Sequence, residues 1–534
     1  MLKFKANPFI GLTLVVLAFG ILFRLSNLDS KVYWVDEVAT SIRIVGYTKT
    51  EVIEELSGGE ILTPPDLQTY QKLQPQKTFR DTLNALVQSP EHAPLYFILA
   101  RFWVQIWGDS VLSLRSLSIL FAFLSFPVLY ITYWELFSIS SSRHLITSLS
   151  PLLLFSLSPI FVAYAQEARP YSLWIFLLLL LHLTCLRAIG RPSWERWGLY
   201  TIVAVLNLYT SLLSIPVVAA QGIYGIWRGK EVRKPLFRSL GIAAIAFLPW
   251  VVVMFDRWRL LQDNTTWTRE NMDGFARVAI WIYNLSILFI DLVVPQTLTV
   301  YKTIEGLTIA IATIAVLGVS LRFLKQQAQK SVSVYLGLTI AALPVVTISC
   351  DFMTGGQIST AARYWIPSYL GLQLILAYFF SLEMRKRPGV RGMFAVVLSA
   401  GLVSGWLYLD RAPKYQKTRN LHNPAIAEIV NRSTSPLVLI EPRSILDMIS
   451  LSYDLESHVK ILVSDAPPSG ISSEILLFNP SPEQLDRFQP LKPIPLYQPP
   501  LLWDGEIHLS LWKLRCETCD RPVSPPLSSL STHH

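Results

Sequence analysis

Apolar runs recur along the first four fifths of the chain, and no other feature constrains the fold as much. They occupy roughly 7–23, 111–136, 145–163, 171–188, 197–212, 213–227, 239–255, 303–321, 332–350, 364–381 and 391–409. A helix crosses a hydrocarbon core of about 30 Å with about 20 apolar residues, so the pattern predicts an all-α polytopic membrane protein with about eleven transmembrane helices. With 52% hydrophobic and only 16% charged residues, a chain of 534 residues is too apolar to be soluble. The formal charge of +9 does not point to nucleic acid, because the basic residues sit in short segments between apolar runs.

Those basic segments set an orientation. The first run follows Lys3 and Lys5 and is closed by no small-x-small cleavage site, so it reads as an uncleaved span with a cytoplasmic N-terminus and Asp36 outside. Phe97 to Trp107 is too short to cross and reads as an interfacial helix. Arg187 to Arg196, Arg228 to Arg238, Arg322 to Lys330 and Arg385 to Arg391 then all face the cytoplasm. Residues 277–300, which must cross an even number of times, read as an outer-surface or re-entrant segment.

Residues 1–410 are thus expected to form the transmembrane domain, with a large first extracytoplasmic loop at 29–110 that holds short helices over 47–90. Beyond residue 410 the chain becomes proline-rich with short strand-like runs, Pro436 to Ile440 and Ile507 to Trp512, so 411–522 reads as a small extracytoplasmic α/β domain. Residues 523–534 read as a disordered tail. Cys516 and Cys519 form a lone C-x-x-C, too little for a metal or redox centre; a local disulfide or two free thiols suffices.

On this topology the polar clusters gather on the outer side: Asp36-Glu37, Glu91-His92, Gln166 to Tyr171, Asp256 to Asp273, and Asp351 to Tyr364. Asp36 and Glu37 follow Tyr33 and Trp34, residues suited to the water–lipid boundary, and ionisable groups so near a bilayer point to function. The cytoplasmic linkers carry no comparable mixture of acids and bases.

An acidic pair after the first span, His92-Ala93-Pro94-Leu95 before the interfacial helix, Gly108-Asp109-Ser110 with Arg115 following, Ser158-Pro159, Tyr164-Ala165-Gln166-Glu167-Ala168-Arg169-Pro170-Tyr171 and Ala362-Arg363-Tyr364 together resemble the GT-C glycosyltransferases. The resemblance covers roughly 1–410 and is strongest to the bacterial group, sometimes called family 39 or RgtA/B/C/D-like, related to protein O-mannosyltransferases and the lipid A aminoarabinose transferase. It implies transfer of a sugar from a polyprenyl-phosphate carrier to a lipid, glycan or protein acceptor on the extracytoplasmic face of the plasma (inner) membrane. His92-Ala93-Pro94 departs from the two prolines of many members, and the insertion before it is long, so the acceptor does not carry over.

Residue chemistry leads to the same place. A sugar on a lipid phosphate has its leaving group already, so an enzyme needs one base for the acceptor hydroxyl and positive charge for the departing phosphate. Asp36, matching the first acid of the pair, is the candidate base. Glu37, on another face, would orient an arginine or backbone donors or hold a metal. Arg169 and Arg363 are candidate phosphate ligands, with His92 and Tyr364 beside them. Glu167, Gln166, Tyr171 and Glu91 would support the site. The plainer alternatives are that Arg169 only pairs with Glu167 and that Arg363 reaches for lipid headgroups. A divalent metal ion stays optional, with Asp36, Glu91, Glu167 and His92 as candidate ligands. A lipid-linked sugar flippase or other transporter is the competing class, although such proteins place ionisable groups near mid-membrane and often contain repeats, neither of which the sequence displays.

Overall fold

The computed structural model describes residues 8–137, 149–292, 300–409, 419–464, 474–499 and 509–514. It divides into two compact units. The first comprises 1–49, 71–417 and 502–506, and the second 50–70, 418–501 and 507–534.

The first unit is helical. α1 (Pro8–Leu25) leads to α2 (Val35–Val45), and then, past α3 (Lys49–Leu56) and α4 (Pro64–Gln68), to α5 (Phe79–Val87), α6 (Leu95–Trp107) and α7 (Val111–Phe137). α8 (Ser150–Leu157), α9 (Pro159–Ala165), α10 (Tyr171–Gly190), α11 (Trp194–Thr210), α12 (Ser214–Arg228) and α13 (Lys230–Asp256) follow. α14 (Trp258–Asn264), α15 (Gly274–Ser286), α16 (Val300–Gln327), α17 (Lys330–Thr354), α18 (Ile366–Glu383) and α19 (Pro388–Tyr408) complete it.

Among the described residues, seven helices are long and apolar enough to cross a membrane: α7, α10, α13, most of α16, α17, α18 with the turn before it, and α19. α18 lies at the centre, buried along almost its whole length, whereas α13 and α16 expose rows of large apolar side chains such as Ile242, Ile245, Val252, Ile304 and Ile311. Apolar residues exposed all along one side and buried along the other are what a helix between protein and lipid requires. The protein is a multi-pass membrane protein.

Four of the expected spans differ from that standard. α1, α11 and α12 have 18, 17 and 15 residues. The run expected over 145–163 is broken: α8 ends at Ser158, whose ψ of 120° is extended, and Pro159 starts α9. Proline disfavours helical backbone in the residue before it, so the break is local in origin. Arg24, fully buried, donates to the carbonyls of Ser156 (2.7 Å) and Phe155 (3.0 Å) that the break releases. Close packing supports this junction, since a Cβ on Gly20 would lie 1.8 Å from Ser156 Oγ and one on Gly405 2.1 Å from Phe23. The segment expected to lie on the outer surface or re-enter becomes α15, a helix of 13 residues.

The second unit carries a five-stranded sheet in the order β2-β1-β3-β5-β4, from β1 (Pro436–Ile440), β2 (Lys460–Val463), β3 (Glu474–Phe478), β4 (Ile494–Tyr497) and β5 (Leu511–Lys513). β1 runs parallel to β2 and β3, while β5 is antiparallel to β3 and β4. Leu437, Leu439, Leu462, Leu477, Phe488 and Leu514 form its core. Helices α20 (Asn423–Arg432), α21 (Ile445–Leu451) and α22 (Pro482–Arg487) belong to the same unit. It also takes in α3 and α4 from the first loop, where Leu62 and Ile461 exchange backbone hydrogen bonds of 2.8 Å in both directions. Cys516, Cys519 and the tail lie outside the described residues.

Candidate active site

α2 begins just after Trp34 with Asp36 and Glu37 in its first turn, where the helix dipole favours negative charge, and ends at Gly46 in the left-handed conformation (φ 103°). Adjacent positions on a helix point about 100° apart, so the two carboxylates meet different partners.

Glu37 is enclosed. Its oxygens accept from Arg115 Nε (2.8 Å) and Nη2 (2.7 Å) on α7 and from the Ala168 amide (2.8 Å), and neither side chain of the ion pair is exposed (0% for both). Arg115 also donates to the carbonyls of Leu28, Lys31 and Val32 and lies 5.3 Å from the Tyr33 ring. One buried acid thereby fixes α2, α7, the end of α1 and the 166–170 turn against one another.

Asp36 faces the other way. Its Oδ2 lies 3.3 Å from Arg169 Nη2, with 30% of the Asp36 side chain exposed and 6% of that of Arg169. Arg169 therefore pairs with Asp36 rather than with Glu167, and its Nη1 donates to the Asp36 carbonyl (3.2 Å) and Thr40 Oγ1 (3.0 Å). Its Nη2 also reaches the Tyr171 hydroxyl at 3.4 Å. Burial disfavours the Arg169 guanidinium, but the charge of Asp36 and the contact with Tyr171 outweigh it and hold its pKa above the usual value.

The supporting residues build the wall. Gln166 accepts from Lys31 and donates to the Phe23 and Ser26 carbonyls at 2.6 and 3.1 Å, which ties the turn to the end of α1. Glu167 is fully buried, within electrostatic reach of Arg115, Tyr96 and Tyr164. Arg363, in the turn before α18, lies over the rings of Trp267 (5.3 Å) and Tyr364 (5.5 Å), and Asp36 and Tyr171 are close enough to act on its charge. Gln357 holds the Trp267 loop through the carbonyls of Trp267 and Thr268. Buried Asp351 in turn anchors the Gln357 turn by accepting from the amides of Ile358 (2.7 Å) and Ser359 (2.8 Å).

Glu91 and His92 sit at the rim. Glu91 is 3.9 Å from Arg43 and 3.5 Å from His92 Nε2, and Asn264 donates to both its oxygens. The His92 pKa is pushed well below 6.5, first by burial and then by the charges of Arg43, Arg169 and Arg363. His92 is thus a neutral imidazole among three guanidiniums. Among the described residues no group of three His, Cys, Asp or Glu side chains could hold a metal ion, so Asp36, Glu91, Glu167 and His92 are not gathered as a ligand set.

Asp36 and Glu37 on α2 meet the turn that carries Gln166, Glu167, Arg169 and Tyr171, with Arg363 and Tyr364 close enough to act on Asp36 and with Glu91 and His92 beside Arg43 and Arg169. Arg115, Arg43, Thr40 and Trp267 had no place in the expected site. Arg115 carried a signal, being a charge within the first turns of an apolar run, where it is costly unless paired. Thr40 and Arg43 lie one and two helical turns along from Asp36, a relation that exists only once α2 is a helix.

The helical bundle, with its broken span and the helix following the first span, has a fold already seen in solved structures. Two solved structures of similar fold are those of ArnT from Cupriavidus metallidurans, one bound to undecaprenyl phosphate (TM-score 0.51, 11% identity) and one in the apo state (TM-score 0.52, 10% identity). Each match covers 97% of this chain and 100% of the other. No protein-family model matches the sequence, and no curated protein does at significant similarity.

Proposed function

We propose that this protein is a membrane glycosyltransferase that moves a sugar from a polyprenyl-phosphate carrier to an acceptor hydroxyl. The observation that carries the reading is Asp36, a partly exposed carboxylate beside Arg169 in a site that also holds Arg363. A base for the acceptor and fixed cations for a leaving phosphate are the two things this transfer needs. The fold likeness to ArnT, in one case bound to undecaprenyl phosphate, supports a lipid phosphate as the donor's leaving group. In this reading Asp36 takes the acceptor proton. Arg169 and Arg363, with His92 and Tyr364, hold the phosphate, and Glu37 positions α2 through Arg115.

The basic linkers support about eleven crossings with the N-terminus in the cytoplasm, which puts the site and the second unit on the extracytoplasmic face. Residues 1–410 then supply the chemistry. The test is transfer by purified protein in detergent, with a panel of polyprenyl-phosphate sugars and lipid, glycan and peptide acceptors read by mass spectrometry. Sugar appearing on an acceptor, and lost in Asp36→Asn, supports the reading. Movement of the lipid-linked sugar across vesicles without any transfer would replace it with a flippase.

A further inference from the structure

Two arginine–carboxylate pairs stand side by side in this site, and they differ in kind. Glu37 and Arg115 form a two-pronged pair at 2.7 and 2.8 Å, with no exposure and a third bond from the Ala168 amide. Asp36 Oδ2 and Arg169 Nη2 are 3.3 Å apart, longer than the ~2.7–2.9 Å of a strong charge-assisted hydrogen bond, with Asp36 30% exposed. The Arg169 guanidinium is held in place independently by the Asp36 carbonyl and Thr40, so it keeps its position when the carboxylate lets go. The first pair is sealed and the second is exchangeable.

We infer, on the reading proposed above, that Arg169 serves two partners in turn: Asp36 in the empty site and the carrier phosphate in the donor complex, so that donor binding is what makes Asp36 a competent base. Charged and titratable groups that act on Asp36 include Arg169 from the 166–171 turn, Arg43 on α2, and Arg363 and Tyr364 from the turn before α18, while the adjoining Glu37 is neutralised by Arg115. In the empty site these guanidiniums face the carboxylate. A phosphate anion on Arg169 and Arg363 offsets their charge, and in this proposal the proton affinity of Asp36 rises. The acceptor O–H proton then passes to the Asp36 carboxylate while the acceptor oxygen bonds to the anomeric carbon. The bond from that carbon to the phosphate oxygen breaks, its electron pair leaving on the phosphate. An acceptor arriving first meets a carboxylate that Arg169 still occupies, so the order is donor before acceptor.

The test uses the full chain in detergent and undecaprenyl phosphate as the probe. Protonation of Asp36 is followed by difference infrared spectroscopy, with Asp36→Asn identifying its band, and lipid binding is measured separately. The expected result is an upward shift of the Asp36 titration by about one pH unit when the lipid binds. In Arg169→Gln the carboxylate should titrate at the raised value with and without lipid. Lipid that binds the wild-type protein and leaves the titration in place overturns the exchange while leaving the glycosyltransferase reading standing. Lipid that does not bind overturns that reading, and the exchange with it.

Discussion

Asp36 and Glu37 adjoin in the chain yet predict opposite mutant behaviour. Asp36→Asn keeps the side-chain shape and removes both the proton acceptor and the competitor for Arg169, so transfer should fall by roughly 10²- to 10⁴-fold while donor binding is not weakened, as turnover and lipid titration would reveal. Near-wild-type turnover in a folded Asp36→Asn protein would move the base elsewhere. Glu37→Gln instead leaves the buried charge of Arg115 uncompensated, which costs about 3–5 kcal/mol, and should appear as a lowered thermal midpoint in detergent. Replacing both partners, Glu37→Leu with Arg115→Met, should cost less than Glu37→Gln alone. His92 supplies a pH dependence. The unfolded chain binds its proton near 6.5 and the folded chain only well below, so stability is full above that pH and declines as pH falls through it. His92→Gln should shrink the drop in midpoint between about pH 7.5 and about pH 5.5. An unchanged drop would mean that His92 is neutral in neither state or both. At this scale the acids and Arg169 were legible, because charges beside apolar runs are few. The partner of each was not, since α2 decides which way each carboxylate turns.

At the scale of elements, the break between α8 and α9 positions the site, because the chain leaves α9 directly into the turn of Gln166, Glu167 and Arg169. Ser158-Pro159 announced a break in the sequence. The cation that stabilises it, Arg24, lies 131 residues from the carbonyl of Phe155, a distance that no local pattern spans. α1 must also come very near α8. Gly20→Val would force side-chain carbon into Ser156, and overpacking of this kind typically costs about 1–3 kcal/mol. We expect a lower thermal midpoint and, since the turn is tethered to α1 through Gln166, a loss of transfer larger than the loss of folded protein. Gly11→Val, where nothing lies within 4 Å, is the control and should leave both unchanged.

For the whole molecule, apolar periodicity was enough to separate a membrane bundle from an α/β unit, because lipid and water demand different surfaces. Composition could not assign residues 50–70 to the second unit, since Leu62 finds its strand partner only through the fold. A protein cut after Lys417 should keep measurable transfer, if the chemistry resides in the first unit, while protease cuts the stranded 50–70 segment faster than in the full chain. Replacing that segment with a flexible linker should remove the extra cleavage, and complete loss of transfer despite intact lipid binding would place part of the site beyond Lys417. The same pairing has a consequence in time. Gln68 donates to the carbonyl of Ser452, made 384 residues later, so at typical synthesis rates of about 5–20 residues per second the first loop waits roughly 20 to 80 s for its partner. Through that interval the nascent protein carries the α3–α4 segment without the partner that its Leu62 and Gln68 meet in the folded unit.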